Sequence, residues 1–296
     1  MGLRVSTTLM YESATRRTMD NLERLYEAQQ DLATGKRLRS PGDNPPLFTR
    51  LLSTKSMQRE LGQFQRNIAS GQGYLSEAES SLESVVNLLI RAKELAMQGA
   101  SGGTDQNGLA GIAIEVQNLF DQTLSMANAS WSGGSGAGTR YLFAGFKSDA
   151  PAFDQNGTYQ GDGGEYRQEI SPGEWVSIGF SGARIFQGDA DVFAVLAGLK
   201  QALDAGDEEG IRASLDGLDQ SLAQMNQAIA EVGARVNRLE QTETRLEDTL
   251  LWLQSFVSGE EDVDLTQAAS RFTLYQSALD ASIRSTQLIF ETLHIL

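Results

Sequence analysis

The sequence predicts a mainly α-helical protein with a small inserted β domain, built on a long antiparallel coiled-coil helical rod whose terminal helices pair. Three observations carry that expectation. Two long apolar seams repeat at alternating spacings of three and four, as helix pairs require. The five prolines fall at 41, 45, 46, 151 and 172, outside both seams. Between 131 and 188 the helical period gives way to short alternating runs among Gly, Asp and Asn, the pattern of strands and turns.

From Val5 to Thr34, Leu9, Met19, Leu22, Leu25, Tyr26 and Leu32 recur at helical spacing, and Gly35 stands where a helix C-cap is expected. Ser40-Pro41-Gly42-Asp43-Asn44-Pro45-Pro46 cannot be helix interior, so it is read as a hinge, with Asn44 as N-cap and Pro45 at the first helical position. The first seam follows: Met57, Leu61, Phe64, Ile68, Gly71, Leu75, Ala78, Leu82, Val85, Leu89, Ala92 and Ala96. A helix over 57–96 extends about 60 Å, which calls for a partner helix along its length. A turn is expected over 99–111 and a helix over 112–126. Short strands are expected at 141–143, 166–170, 175–180 and 184–186, making the inserted β domain. Helix resumes over 191–205. The second seam is Ile211, Leu215, Leu218, Leu222, Met225, Ile229, Val232, Val236, Leu239, Leu246, Leu250, Leu253 and Val257, with Glu243 its one polar member.

A last helix carries Leu265, Ala268, Phe272, Tyr275, Leu279, Ser282, Thr286, Ile289 and Leu293 at spacings of four and three, with Ile283 also apolar, and its stripe reaches Leu296. A terminal turn normally frays into water, so a stripe running to the last residue points to a partner outside the chain. The candidate assembly interface is therefore Leu9, Met19, Leu22, Leu25 and Leu32 on the N-terminal helix, with Leu265, Phe272, Tyr275, Leu279, Ile283, Ile289 and Leu293 on the C-terminal helix. Pro41, Asn44, Pro45 and Pro46 are the candidate hinge.

Composition excludes several functions. There is no cysteine and a single histidine, His294, so no thiolate chemistry, zinc cluster or Ser-His pair is expected. The net charge of −15 argues against nucleic acid. Residues 1–66 hold eleven Lys plus Arg against seven Asp plus Glu, but these lie interspersed at helical spacing, as on a solvated helix face. No stretch approaches the roughly 20 apolar residues that span a bilayer, and the N-terminus lacks the apolar core of a secretory signal. The glycine-rich run 133–138 lacks the Gly-Lys-Ser/Thr of a phosphate loop. Asp154-Gln155-Asn156-Gly157 places its glycine fourth, not sixth, and reads as a turn rather than a calcium loop. Asn128-Ala129-Ser130 and Asn156-Gly157-Thr158 are read as chance glycosylation patterns. Glu208 and Glu209, and Glu260, Glu261 and Asp262, are placed at helix starts or loops, where acids complement the helix dipole. No catalytic residue, metal or cofactor is expected.

Several stretches resemble one known family. They are Arg4-Val5-Ser6-Thr7-Thr8, the turn from Leu32 through Gly35-Lys36-Arg37 to Leu38, the hinge Ser40 to Pro45, the stretch from Tyr141 to Asp149, and Asp264 through Arg271 to Leu296. The sequence is similar to the flagellin-like axial proteins of the bacterial flagellum, and most closely to their hook-filament junction branch. The prolines of the hinge separate it from filament flagellin, which stays as an alternative. The resemblance implies an inner terminal domain (1–42 with 262–296), flexible or disordered in the monomer, a helical rod (43–130 with 189–261) and an outer β-rich knob (131–188). It also implies uncleaved export through the flagellar type III apparatus to the extracellular flagellum. The implied partners are copies of the chain in a ring, flagellin and hook-associated protein 1, and a cytosolic export chaperone on the C-terminal helix. The other classes kept open are an enzyme in the 131–188 insert and a coiled-coil binding scaffold whose knob recognises a ligand.

Overall fold

A computed structural model describes residues 2–101, 103, 105–133 and 138–294, apart from the side chains of 2–8, 289, 290 and 292–294. Among the described residues seven helices and four short strands follow one another: α1 (Gly2–Thr34), α2 (Pro45–Gly99), α3 (Gln106–Ala127), β1 (Ser130–Trp131), β2 (Arg140–Tyr141), β3 (Arg167–Ser171), β4 (Glu174–Ser177), α4 (Gly182–Phe186), α5 (Val192–Ala205), α6 (Glu208–Glu261) and α7 (Leu265–His294). The fold is mainly α with a small two-sheet β region. Two compact units divide the chain, one of residues 1–59 with 249–296 and one of residues 60–248.

The core of the 60–248 unit is the predicted pair of seams. On α2, Leu61, Phe64, Ile68, Leu75, Ala78, Leu82, Val85, Leu89, Ala92 and Ala96 are all buried. On α6 the members seven apart, Ile211, Leu218, Met225, Val232, Leu239 and Leu246, are buried, while Leu215, Leu222, Ile229 and Val236 are half-buried. The helices run antiparallel, because Gln72 Nε2 donates to Glu243 Oε2 at 2.8 Å and Lys93 pairs with Asp219. Glu243, the polar member of the seam, is thus satisfied from the facing helix. Gly71 is small for a reason: a Cβ there would lie 3.3 Å from both Ile178 Cγ2 and Leu239 Cδ1, so the insert and α6 close on α2 together. Outside this unit the buried stripe of α2 starts earlier than predicted and passes Met57 by. Met57 is 47% exposed, and Leu51 and Thr54 take the buried positions.

Elsewhere local chemistry overrode period. The expected turn over 99–111 is shorter, because Asp105 caps α3 by accepting from Gly108 N at 2.9 Å. That cap recovers about 1 kcal/mol, comparable to the cost of a glycine in the first turns. The expected strand 184–186 is the helical turn α4; a three-residue apolar run carries too little period to separate the two. The 141–143 strand keeps only Arg140–Tyr141, and beyond it Leu142 and Phe143 turn inward and are fully buried. The 175–180 strand stops at Ser177, after which Ile178 N and Gly179 N both donate to Tyr166 O, at 2.8 and 3.0 Å.

The insert is therefore held less by its two-stranded ladders than by a chain of rings. Phe143 meets Phe186 at 5.3 Å, Phe186 meets Phe153 at 5.3 Å, and Phe153 meets Phe193 of α5 at 5.0 Å. Arg235 ties the insert to α6, donating to Ser177 O and Gly179 O at 3.1 and 3.2 Å, with its guanidinium 4.6 Å from the centre of the Phe180 ring.

Candidate assembly interface and hinge

In the unit formed by 1–59 and 249–296, α1 and α7 run antiparallel. Ala14, Thr18, Asn21, Leu25, Ala28 and Leu32 form the inward stripe of α1, and Ala268, Phe272, Tyr275, Leu279, Ser282 and Thr286 that of α7, each spaced four and three. Asn21 Nδ2 donates across the seam to Ser282 Oγ at 2.6 Å. The seam is built largely of short or polar side chains. At about 25 cal/mol per Å² of buried apolar surface, such a stripe stabilises the pair far less than the leucine-rich seam of α2 and α6.

The twelve predicted interface residues divide. Leu25, Leu32, Phe272, Tyr275 and Leu279 lie half-buried along the α1–α7 stripes. Leu9, Met19 and Leu22 face away on α1, 61%, 61% and 50% exposed. Leu265 and Ile283 are likewise exposed on α7, joined by Leu274. The side chains of Ile289 and Leu293 lie outside the described residues. Each terminal helix thus covers one stripe within the chain and leaves other apolar side chains open, those of α7 on opposite flanks, since Leu274 lies nine positions from both Leu265 and Ile283.

The predicted hinge is an ordered turn. Asn44 Oδ1 accepts from Leu47 N at 3.2 Å, which makes Asn44 the N-cap with α2 beginning at Pro45. Pro41, Pro45 and Pro46 are exposed. Asp43 fastens the turn from inside, accepting from Arg39 N and Ser40 N at 2.8 Å each and from Ser40 Oγ at 2.9 Å. The backbone donors Arg39 and Ser40 hold its carboxyl below the usual carboxylate range.

Next to this turn lies a feature that sequence reasoning placed wrongly. Glu261 is not in a loop or at a helix start. It ends α6 and is 6% exposed, held by Lys36 Nζ at 2.6 Å and by Lys55 Nζ. A carboxylate at a helix C-terminus opposes the dipole, and two ammonium groups offset it. Gly35, left-handed at φ +66°, caps α1 as expected and turns the chain across the end of α6. There Arg37 N donates to Glu261 O at 2.7 Å and Val263 N to Gly35 O at 2.9 Å. The result is a clasp joining the α1 end, the start of α2, the end of α6 and the α7 entry. No spacing in the sequence announces it, since Lys36 and Glu261 are 225 positions apart.

Burial alone would raise the carboxyl pKa of Glu261, but hydrogen bonds and charge from Lys36 and Lys55 outweigh it and lower the pKa. Lys36 is raised in turn by its bond to Glu261. The lowered carboxyl contributes stability above its unfolded pKa and loses it as pH falls through the folded value. The raised ammonium contributes below its unfolded pKa and loses it as pH rises through its folded value. The clasp is therefore fastest between those limits. Glu261→Ala, which strands two lysines, is expected to cost about 2 kcal/mol, and Glu261→Gln less. Amide exchange at Arg37 and Val263 checks this: both should quicken in Glu261→Ala, and in the parent protein under acid.

These features define a class of protein: a mainly helical chain whose terminal helices pair with each other and leave apolar side chains open. The family model for the bacterial flagellin N-terminal helical region matches residues 5–146, and that for the bacterial flagellin C-terminal helical region matches residues 215–289. The chain belongs to the flagellin-like family of bacterial flagellar axial proteins, and is a structural component of the flagellum. Within that family it is similar to flagellar hook-associated protein 3 of Escherichia coli, 27% identical over 96% of both chains. It is 28% identical to the Salmonella typhimurium protein of the same name over 62% of this chain, a match spanning 57% of that relative. A flagellar hook-associated protein from Vibrio parahaemolyticus shares the fold with a TM-score of 0.68 at 22% identity, covering 74% of this chain and all of that one. Among the described residues no helix is long and apolar enough to cross a membrane, and no group of three or more acidic or histidine side chains is placed to hold a metal ion.

Proposed function

We propose that the chain is the structural adaptor joining the hook-associated zone of the flagellum to the flagellin filament, assembled as a ring through its terminal helices and without catalytic activity. The observation that carries this is the set of apolar side chains left open on both α1 and α7, Leu9, Met19, Leu22, Leu265, Leu274 and Ile283, on helices already paired to each other. Similarity over 96% of its length to a hook-associated protein 3 supports the junction over the filament. Its partners in this reading are hook-associated protein 1 on one side and flagellin on the other. Before assembly a cytosolic export chaperone covers the α7 face, and the chain leaves through the flagellar type III apparatus without cleavage.

The same reading divides the chain by role: a terminal domain of 1–42 with 262–296 that assembles, a helical middle of 43–130 with 189–261 that holds it, and the 131–188 insert facing outward. Folding and assembly are coupled. Ordering a residue costs roughly 1–2 kcal/mol, which a seam that sets Ala, Thr, Asn and Ser among its half-buried leucines and rings offsets poorly by itself. In a dilute monomer, amides of 1–40 and beyond 262 are expected to exchange quickly, and to become protected on assembly. The decisive experiment is deletion: cells lacking the chain should carry hooks and release unpolymerised flagellin, and the intact chain should restore filaments. Filaments persisting on the deletion strain would reject the junction role.

A further inference from the structure

One groove in the 60–248 unit has no part in assembly through the terminal helices. It holds about 1390 Å³ between one face of α2 and the insert. Pockets for drug-sized molecules run to roughly 300–1,000 Å³, so this one admits a ligand longer than a single sugar ring or side chain.

Aromatic side chains line it. Tyr74, 8% exposed, has its hydroxyl donated to Leu142 O at 2.8 Å, with the Trp131 ring edge-on at 5.7 Å. Phe146 and Tyr166 also line the groove and stand 65% and 45% exposed, high for rings in a unit that buries most of its aromatics.

The charge is equally unusual. The sequence places nine arginines in 60–248. Six of them, Arg91, Arg184, Arg212, Arg235, Arg238 and Arg245, have a carboxylate within 4.0 Å. The other three, Arg66, Arg140 and Arg167, have none among the described residues, and the first two line the groove. Arg66 donates to Gln63 Oε1 at 2.7 Å and the Arg140 guanidinium stands 5.4 Å over the Tyr166 ring. The one carboxylate among the lining residues is Asp149. In a chain of net charge −15, this groove thus carries two guanidiniums that no carboxylate partners.

We infer that this groove binds an acidic saccharide, a short glycan bearing carboxylates. The C–H faces of sugar rings pack on aromatic side chains, guanidiniums take carboxylates in paired hydrogen bonds, and the Gln168 amide is placed at the groove for hydroxyls. A purely apolar ligand would leave both guanidiniums desolvated without a partner. An acidic peptide would satisfy the arginines while leaving the ring faces with less to cover them.

The test uses the full chain with Trp175→Phe and Trp252→Phe, which leaves Trp131 as the only indole of three. Trigalacturonate, maltotriose and a glutamate-rich peptide are each titrated while its emission is followed. Trigalacturonate is expected to give a saturable change, weakened by salt. Arg66→Gln with Arg140→Gln is expected to weaken it about tenfold or more, the loss of charge-assisted bonds. Maltotriose should give no saturable change. Because Arg66 is exposed, Arg66→Gln alone serves if the double variant does not fold. No saturable response to trigalacturonate, equal binding of maltotriose, or indifference to the arginine variants overturns the inference. Tighter binding of the peptide overturns it too, and makes the groove a protein-docking site.

Discussion

Met19→Asp with Leu22→Asp is expected to abolish motility while leaving the isolated chain folded. Both side chains stand on the open face of α1, 61% and 50% exposed, so the monomer loses no internal contact. Exposed substitutions of this kind stay within about 0.5 kcal/mol. In the ring proposed above the same positions are covered, and each replacement there removes an apolar contribution of about 1.5–3 kcal/mol while burying a carboxylate at a cost of several more. Summed over every subunit contact, that change leaves no ring. Thermal denaturation should match the parent, and a swimming assay should show no spreading. Ile283→Asp, 41% exposed on α7, is expected to act the same way. Leu279→Asp is not equivalent: half-buried on the inward stripe of α7, it opens the pair as well as the contact outside. Swimming cells carrying Met19→Asp with Leu22→Asp would remove the open face of α1 from the assembly.

That division between faces marks how far the sequence could be read. The seams of α2 and α6 were legible because leucine, isoleucine and valine recur there on one stripe, and a single apolar stripe has one interpretation. The terminal helices carry apolar residues on two faces, and their period picks out both without saying which the chain itself covers. On α1 the inward face joins Leu25 and Leu32 to Ala14, Thr18, Asn21 and Ala28, residues too small or too polar to register as a seam. Pro45 and Asn44 were legible as a helix start because capping is local. Glu261 was not, because its environment comes from Lys36 and Lys55, on segments that meet it only after folding. Its neighbours Glu260 and Asp262 made the position look like a solvated acidic loop.

The insert failed to resolve for a related reason, and Phe153→Ala is expected to show it. Phe153 is 2% exposed, with the rings of Tyr159, Phe186 and Phe193 at 5.3, 5.3 and 5.0 Å. Its backbone is gripped at both ends by Asn128, whose Oδ1 accepts from Phe153 N at 2.9 Å and whose Nδ2 donates to Phe153 O at 3.0 Å. Truncating a buried phenylalanine costs about 3–5 kcal/mol, and a ring held between three others has little freedom to collapse. Strands of two to five residues cannot carry that loss themselves. The amides of Asp154 and Gln160, bonded to Thr158 O and Ala152 O at 3.0 and 2.8 Å, should therefore lose protection in hydrogen exchange. The loss should also reach the start of α5, because Phe193 continues the ring chain to Phe120 of α3 at 5.6 Å. Amides around Leu75 and Leu82, in the middle of the α2 seam, should hold. Unchanged exchange at Asp154 and Gln160 would mean that the ladders, and not the rings, hold the insert. Protection lost equally along α2 would mean that the insert and the helices under it fold as one layer.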